Sequence, residues 1–392
     1  MINKKSPSPV NQNKSKKYLS CHSSKEGIQM GKRNKVTTRD IAEYAGVSQS
    51  TVSMILSEKK NVSFGEETVQ KVKKAARALG YSKPDKKKRT PDQSLSKTII
   101  ILCPTISNGY YNAVIHSIIE KAQEYGYTSL TAVTFRSAER EDEYFRLFSE
   151  NELAGVISLY PLSKYTEANA LAKRVPVVSI GEKPEGIRFS SVELDSQKPG
   201  WMMAEHLVQL GHRHIAFISG PVVKKEISRT RRLAGLQQYY REAGLDPALV
   251  RLFCPTLKAY ADYPHTGAEY QAGYDMTIRA LDADTPATAF VGNSDDIAFG
   301  ILAALADRGI RVPEDISVAG FDNHRLSGMP QIALTTIEHS SWQKGQNAVE
   351  MIYRKNTRRE AGVDSGLIIR MEYEPKLIVR RTTGKASSKV PT

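Results

Sequence analysis

Residues 36–56, VTTRDIAEYAGVSQSTVSMIL, hold two short helical patterns on either side of a single glycine, and no other stretch limits the fold as tightly. Thr37 is placed to cap the first helix, with Asp40 as a carboxylate at its third position and Ile41, Ala42 and Ala45 on one face. Gly46 then ends the helix, Val47 is the apolar residue beyond the turn, and Ser48 is placed to cap again. Val52, Ile55 and Leu56 make a second apolar stripe. This spacing predicts a helix-turn-helix. A third pattern, EETVQKVKKAARALGY, supplies Val69, Val72, Ala76 and Leu79 to close a small core.

Charge gathers around this module. Residues 1–97 hold 22 Lys+Arg against 8 Asp+Glu, whereas the rest of the chain holds 34 of each. The asymmetry implies a basic module for a polyanion joined to a neutral body. Residues 1–35, rich in Ser, Lys, Asn and Pro, read as a disordered basic tail in which Met30 is an alternative start. The tail lacks the apolar core of a signal peptide, and no stretch approaches the roughly 18 apolar residues of a membrane span. Cys21, Cys103 and Cys254 are odd in number and show no CxxC spacing, as expected of a reduced cytoplasmic chain without membrane partners.

From residue 98, apolar runs alternate with helical patterns. TIIILCP, AGVISL, VPVVSI, HIAFISG, TAFVG and ISVAGFD read as buried parallel strands; NAVIHSIIEKAQEYGY and AFGILAALADRGI read as covering helices. The alternation predicts an α/β body of doubly wound sheets, with ligands at the C-terminal ends of the strands. No GxGxxG, phosphate loop, GxSxG or HExxH stands in a fitting context, so neither a catalytic set, a cofactor nor a metal is expected. The histidines of GHRH (211–214) read as structural.

Thr37, Asp40, Ile41, Ala42, Ala45, Gly46, Val47, Ser48, Thr51, Val52 and Ser53 together resemble the opening of the LacI/GalR family of bacterial transcription regulators, T-x-x-D-I-A-x-x-A-G-V-S-x-x-T-V-S. The resemblance continues through residues 61–81 with two extra residues before EET, and through AEHLVQLGHRHIAFISGP (204–221) and later segments to about residue 383. It implies that the second helix enters the major groove of an operator. Gln49 and Ser50 are then the first candidates to read base edges, and Thr51 and Ser53 to touch phosphate. The cap residues Thr37 and Ser48 complete the DNA-facing set. Met54 stands where arginine is common in the family; it either meets a thymine methyl or packs beside the helix.

Residues 84–97 form the expected hinge or linker, yet the family's A-R-x-L element is missing there. A substitute helix start is available in Thr90, Pro91, Asp92 and Gln93, which would make Leu95 the minor-groove wedge. Lys86, Lys87, Lys88 and Arg89 can face phosphates with or without such a helix.

For residues 98–383 the resemblance implies a two-lobed, periplasmic-binding-protein-like effector and dimerisation domain. Its N-lobe would span about 98–194 and 338–370, its C-lobe about 195–337 and 371–383, and a tail 384–392. Tyr110, Tyr111, Arg232, Asn293, Asp295 and Asp322 are the effector residues it implies; their carboxylates, guanidinium and rings suit a polyol. Near Gly181, where the family often carries an aspartate, Glu182 is the nearest carboxylate. The expected protein is a homodimeric repressor of a carbohydrate-use operon that binds double-stranded operator DNA and a sugar-like effector. The competing readings are a solute-binding protein of a sugar transporter and an α/β enzyme with an appended DNA-binding domain.

Overall fold

The computed structural model describes residues 36–56, 64–81, 95–182, 186–222, 227–264, 266–283, 286–363 and 366–387, and the chain divides into two units, Met1–Lys88 and Arg89–Thr392.

The first unit is a bundle of α1 (Thr38–Ala45), α2 (Gln49–Leu56) and α3 (Glu66–Ala78). Thr37 and Asp40 close a capping box: the Asp40 carboxylate accepts the Thr37 backbone N–H at 2.7 Å, and the Thr37 hydroxyl accepts that of Asp40 at 3.4 Å. Gly46 leaves α1 at φ 65°, a left-handed conformation that glycine takes without the usual Cβ penalty. The Ser48 hydroxyl then accepts the Thr51 N–H at 3.1 Å and caps α2. Ile41, Val52 and Val72 form the fully buried centre, with Ala42, Ile55, Ala75 and Ala76 around them. Val69 and Leu79 are half-buried at its rim.

The expected helix start at Thr90–Gln93 and the basic run Lys86–Arg89 lie outside the described residues. Leu95, half-buried, opens a 3-10 turn (Leu95–Lys97) that runs into the first strand.

The body has two sheets. β1 (Thr98–Cys103), β2 (Thr128–Val133), β3 (Gly155–Ser158), β4 (Val177–Glu182) and β5 (Ser190–Leu194) precede β6 (Ile215–Ile218), β7 (Val250–Phe253), β8 (Ala289–Gly292) and β9 (Ser317–Ala319). Three short strands follow: β10 (Thr336–Glu338), β11 (Arg370–Glu372) and β12 (Lys376–Ile378). The first sheet is parallel in the order β11-β5-β4-β3-β1-β2; the second is parallel in the order β7-β6-β8-β9. β10 and β12 pair antiparallel.

Both faces of β1 are covered. Ile99 and Ile101 join Val114 and Ile118 of one helix and Val349 and Ile352 of another, while Ile100 and Leu102 meet Phe145 and Phe148 on the opposite side. That two-sided burial is why the strand reads as an unbroken apolar run. Chain crossings between the lobes follow β5, follow β10 and separate β11 from β12.

Inside the C-lobe, helices touch backbone to backbone. A Cβ on Gly235 would fall 2.0 Å from the Gln197 carbonyl oxygen, and one on Gly200 2.1 Å from that of Arg232. The same reciprocity joins Gly273, 2.2 Å from the Ile297 carbonyl oxygen, to Gly300, 2.1 Å from that of Tyr270. His212 of the GHRH stretch is buried and bridges Thr288 Oγ1 (2.8 Å) and Ser317 Oγ (3.0 Å), tying β9 to the segment before β8. Among the described residues no helix is long and apolar enough to cross a membrane.

Candidate functional site: a recognition helix and an interlobe cleft

At the start of α2, Gln49, Ser50 and Ser53 are exposed, and Thr51 and Met54 are half-buried. The Gln49 amide donates to the Thr38 hydroxyl at 3.2 Å, and the Ser48 hydroxyl lies 2.8 Å from those of both Ser50 and Thr51. One capping hydroxyl therefore orders its neighbours on a surface of mixed donors and acceptors, the chemistry that base edges and phosphates present.

In the body, two adjoining chambers of about 600 Å³ and about 100 Å³, which share Asn108, Tyr111, Arg136, Arg229 and Glu269 in their walls, lie between the lobes at the C-terminal ends of the strands. Arg232 anchors the smaller, inner one. Its guanidinium donates to the Asn293 carbonyl oxygen, stands 3.3 Å from Asp322 Oδ1 and 3.1 Å from His339 Nε2, and lies 4.7 Å over the Phe321 ring. His339 must accept at Nε2, which puts its proton on the unpartnered Nδ1; burial holds the ring well below the ordinary histidine pKa and keeps it neutral. Asp322 sits at φ 123°, an unusual conformation for a residue with a side chain. Burial raises its carboxyl above the usual range, and the Arg232 charge pulls it part of the way back.

Glu182, at the end of β4, accepts the Ser196 N–H at 2.9 Å and pairs with Arg231 at 3.1 Å. Burial raises it as well. Asn293 Oδ1 and Arg232 Nε, on residues that line this chamber, are buried without a protein partner, and so is Lys344 Nζ, whose residue does not line it. Nothing local in the sequence marked Lys344, which is fully buried in the first turn of helix Ser341–Glu360 and whose ammonium burial pushes down to about 8.

Asn108 joins the two walls. Its Oδ1 caps helix Gly109–Glu124 by accepting from Tyr110 N at 2.9 Å, and its Nδ2 reaches across to Glu269 (2.9 Å) and Asp296 (3.2 Å). The next residue, Gly109, lies so close to His324 that a Cβ would stand 2.7 Å from the ring. Asn108→Ala is expected to destabilise the body by about 1–2 kcal/mol and to open the cleft, raising the radius of gyration in small-angle scattering. Asn108→Ser, which retains a cap but cannot reach the far wall, should recover most of the stability and leave the opening.

Tyr110, Tyr111, Arg232, Asn293 and Asp322 all converge on the inner chamber. Asp295 does not. It is fully buried, and its oxygens are taken by the hydroxyls of Thr336 (2.6 Å) and Ser327 and by His324 N (3.2 Å). Asp295 and Asp296 open the same helix, and successive helical residues point about 100° apart; Asp296 is the carboxylate that lines the cleft. Sequence reasoning also missed Asn108, Arg136, Arg140, Arg229 and Glu269, most of them in loops or at helix starts, where no periodicity marks them.

Residues 37–84 match bacterial regulatory proteins of the lacI family, and residues 204–383 match the periplasmic binding protein-like domain. The chain belongs to the LacI family. Like other members it is a DNA-binding transcriptional regulator, with the three-helix module and two-lobed α/β body expected from the sequence. This LacI-family chain is 27% identical over 355 residues to the HTH-type transcriptional regulator DegA of Bacillus subtilis (strain 168), covering 89% of this chain and 98% of the relative. It is 28% identical over 353 residues to the HTH-type transcriptional repressor PurR of Haemophilus influenzae (strain PittEE), covering 88% and 98%. Among solved structures it is similar to the lac repressor dimer bound to operator and the anti-inducer ONPF, with a TM-score of 0.59, 25% identity, and coverage of 90% of this chain and 100% of that one.

Proposed function

We propose that this LacI-family regulator is a homodimeric repressor of a carbohydrate-use operon and that a sugar-like effector in the cleft sets its operator affinity. The observation that carries the effector reading is the inner chamber. There Arg232 and Asp322, a fork of donors and a carboxylate, stand beside the unpartnered Asn293 Oδ1 and the rings of Tyr110 and Tyr111. Alternating donors and acceptors on one side and aromatic faces on the other match a pyranose, whose hydroxyls lie at its edge and whose C–H groups form its faces.

On the DNA, Gln49 and Ser50 read bases, and Thr37, Ser48, Thr51 and Ser53 meet phosphates. Met54 lies against a thymine methyl, and Leu95 is the wedge from the hinge. A dimer places two copies of α2 on half-sites related by two-fold symmetry. Effector binding changes the balance between lobe arrangements, and thereby that between DNA-competent and incompetent dimers. Such a protein works in the cytoplasm, beside the DNA. The helix-turn-helix would have no task in a transporter's solute-binding protein, and this weighs against that reading.

The test is selection of bound sequences from random duplex DNA by the purified protein, with and without a panel of sugars. A two-fold symmetric motif whose recovery changes with one sugar is expected. Gln49→Ala should lose discrimination at one base position per half-site, by about 1–3 kcal/mol. Recovery of no symmetric motif under any of these conditions would overturn the proposal.

A further inference from the structure

The buried ammonium of Lys344 has no acceptor among the described residues, and nothing in the effector reading employs it. It belongs to the first turn of helix Ser341–Glu360, which packs on β3, β4 and β5. Side chains in a helix lean back over the turn N-terminal to their own Cα, so this one leans towards residues 338–341. The helix cannot roll to bring it out, because a Cβ on the adjoining Gly345 would already fall 1.8 Å from Ser117 Oγ. The positive end of the helix dipole makes a cation costly there. Burial lowers the ammonium to about 8, which leaves it charged at pH 7, and the carboxylate that acts on it most is Glu338.

Glu338 is committed elsewhere. It ends β10, at the crossing between the lobes; one of its oxygens accepts the Ser340 N–H at 2.6 Å and the other accepts the Asn323 amide at 2.7 Å. The Ser340 carbonyl accepts the Lys344 N–H at 3.0 Å, so a single residue links the carboxylate to the backbone of the lysine. Asn323 follows the effector residue Asp322, and its amide oxygen accepts from Arg380 at 2.6 Å, which holds the side chain at both ends. Asp322, Asn323 and Ser340 have φ of 123°, 49° and 55°, so the backbone is strained on either side of Glu338. Asn323 is carried by the C-lobe, Lys344 by the N-lobe, and Glu338 by the strand that leads from one to the other. A turn of the lobes about this crossing therefore alters its distance to each.

We propose that Glu338 is a two-position switch: it binds Asn323 and the Ser340 N–H in this structure, and moves to the Lys344 ammonium when an effector on Asp322 draws the 322–323 loop away. The first position ties the crossing to the effector loop and leaves a buried charge without a partner; the second supplies that partner and frees the loop. Two discrete partners for one carboxylate couple a ligand to the arrangement of the lobes. The trigger rests on the sugar reading of the cleft, whereas the exchange of partners rests on the geometry of the crossing.

The experiment is hydrogen exchange of the full chain, read by mass spectrometry on peptides spanning residues 338–343, in which the Ser340 amide reports whether Glu338 is in place. Lys344→Met puts an apolar chain of similar length in the buried site and removes the second position. Without sugar, Ser340 should then exchange at least about tenfold more slowly than in wild type, with the amides of β1 slowed less. In a Glu338→Gln background the same substitution should change Ser340 by less than about twofold, because the pair no longer exists. Equal slowing in the two backgrounds, or no slowing in either, would overturn the switch. Neutral mono- and disaccharides that bind by titration calorimetry are added next: wild-type Ser340 should exchange faster, and Lys344→Met should not respond. A bound sugar that leaves wild-type Ser340 unchanged would overturn the switch and leave the sugar reading standing. If no saccharide binds, the sugar reading falls together with the trigger, and the comparison without sugar still decides the exchange of partners.

Discussion

Arg232→Ala is expected to lower the stability of the body by about 3–5 kcal/mol and to weaken effector binding by roughly 10–150-fold. The guanidinium joins the Asn293 carbonyl, Asp322 and His339 within one buried cluster, so its loss orphans all three at once. Asp322 suffers most, because at 7% exposure it has little water to replace the lost charge. Its carboxyl is already raised by burial; without Arg232 it moves higher still and takes up a proton at a pH where the unfolded chain has released it. A carboxyl whose folded pKa lies above its unfolded value favours the folded state most below the unfolded value, about 3.9, and loses that contribution as pH rises towards the folded value. Burial already holds Asp322 at about 8 with Arg232 in place, so both proteins lose this contribution in parallel up to that pH; the variant's deficit should grow above it, being larger at pH 9.5 than at pH 7, as thermal unfolding of the body at the two pH values would reveal. A deficit independent of pH would mean that Asp322 is not the group left exposed to the loss.

Val52→Asp should abolish operator binding outright while leaving effector binding and the melting of the body unchanged. Val52 is fully buried at the centre of a core of seven residues, and an isolated carboxylate there costs several kcal/mol. A unit this small has only a few kcal/mol of stability to lose. Gel-shift assays with the selected operator would show the loss, and effector titration calorimetry on the same sample would show the body intact. Parallel loss of effector binding would mean that the two units do not fold independently.

The parts of this chain that were legible in its sequence are those decided locally. Thr37, Asp40, Gly46 and Ser48 act within a few residues of themselves, and their caps and turn form as their order implies. β1, β3, β4, β6, β8 and β9 were legible because both their faces are buried and their apolar runs are continuous. β2 was not: it is an edge strand, and much of TSLTAV faces solvent. β5, SSVEL, buries serines and a glutamate, so no apolar run announced it.

The cleft was harder for a different reason. Arg232 and Asp322 are 90 residues apart and meet only because two parallel strands end beside one helix. Family resemblance drew attention to them, but resemblance could not separate Asp295 from Asp296, whose difference is one step of helical rotation. Arg136 and Arg140 sit around a loop whose conformation is set by two left-handed residues that no propensity would have placed there.

The glycine contacts of the C-lobe have a mechanical consequence. With Gly200 against Arg232 and Gly235 against Gln197, and with Gly273 and Gly300 in a matching embrace, the helices that carry the cleft residues have no slack in which to slide. A ligand that tugs on Arg232 or Asp296 cannot be accommodated by local repacking, so the lobe must turn as a stiff lever about the crossings after β5, after β10 and between β11 and β12. Displacement at the far end of a lever grows with its length, so under the proposed effector reading a sub-ångström adjustment in the cleft would become a larger movement at the opposite rim.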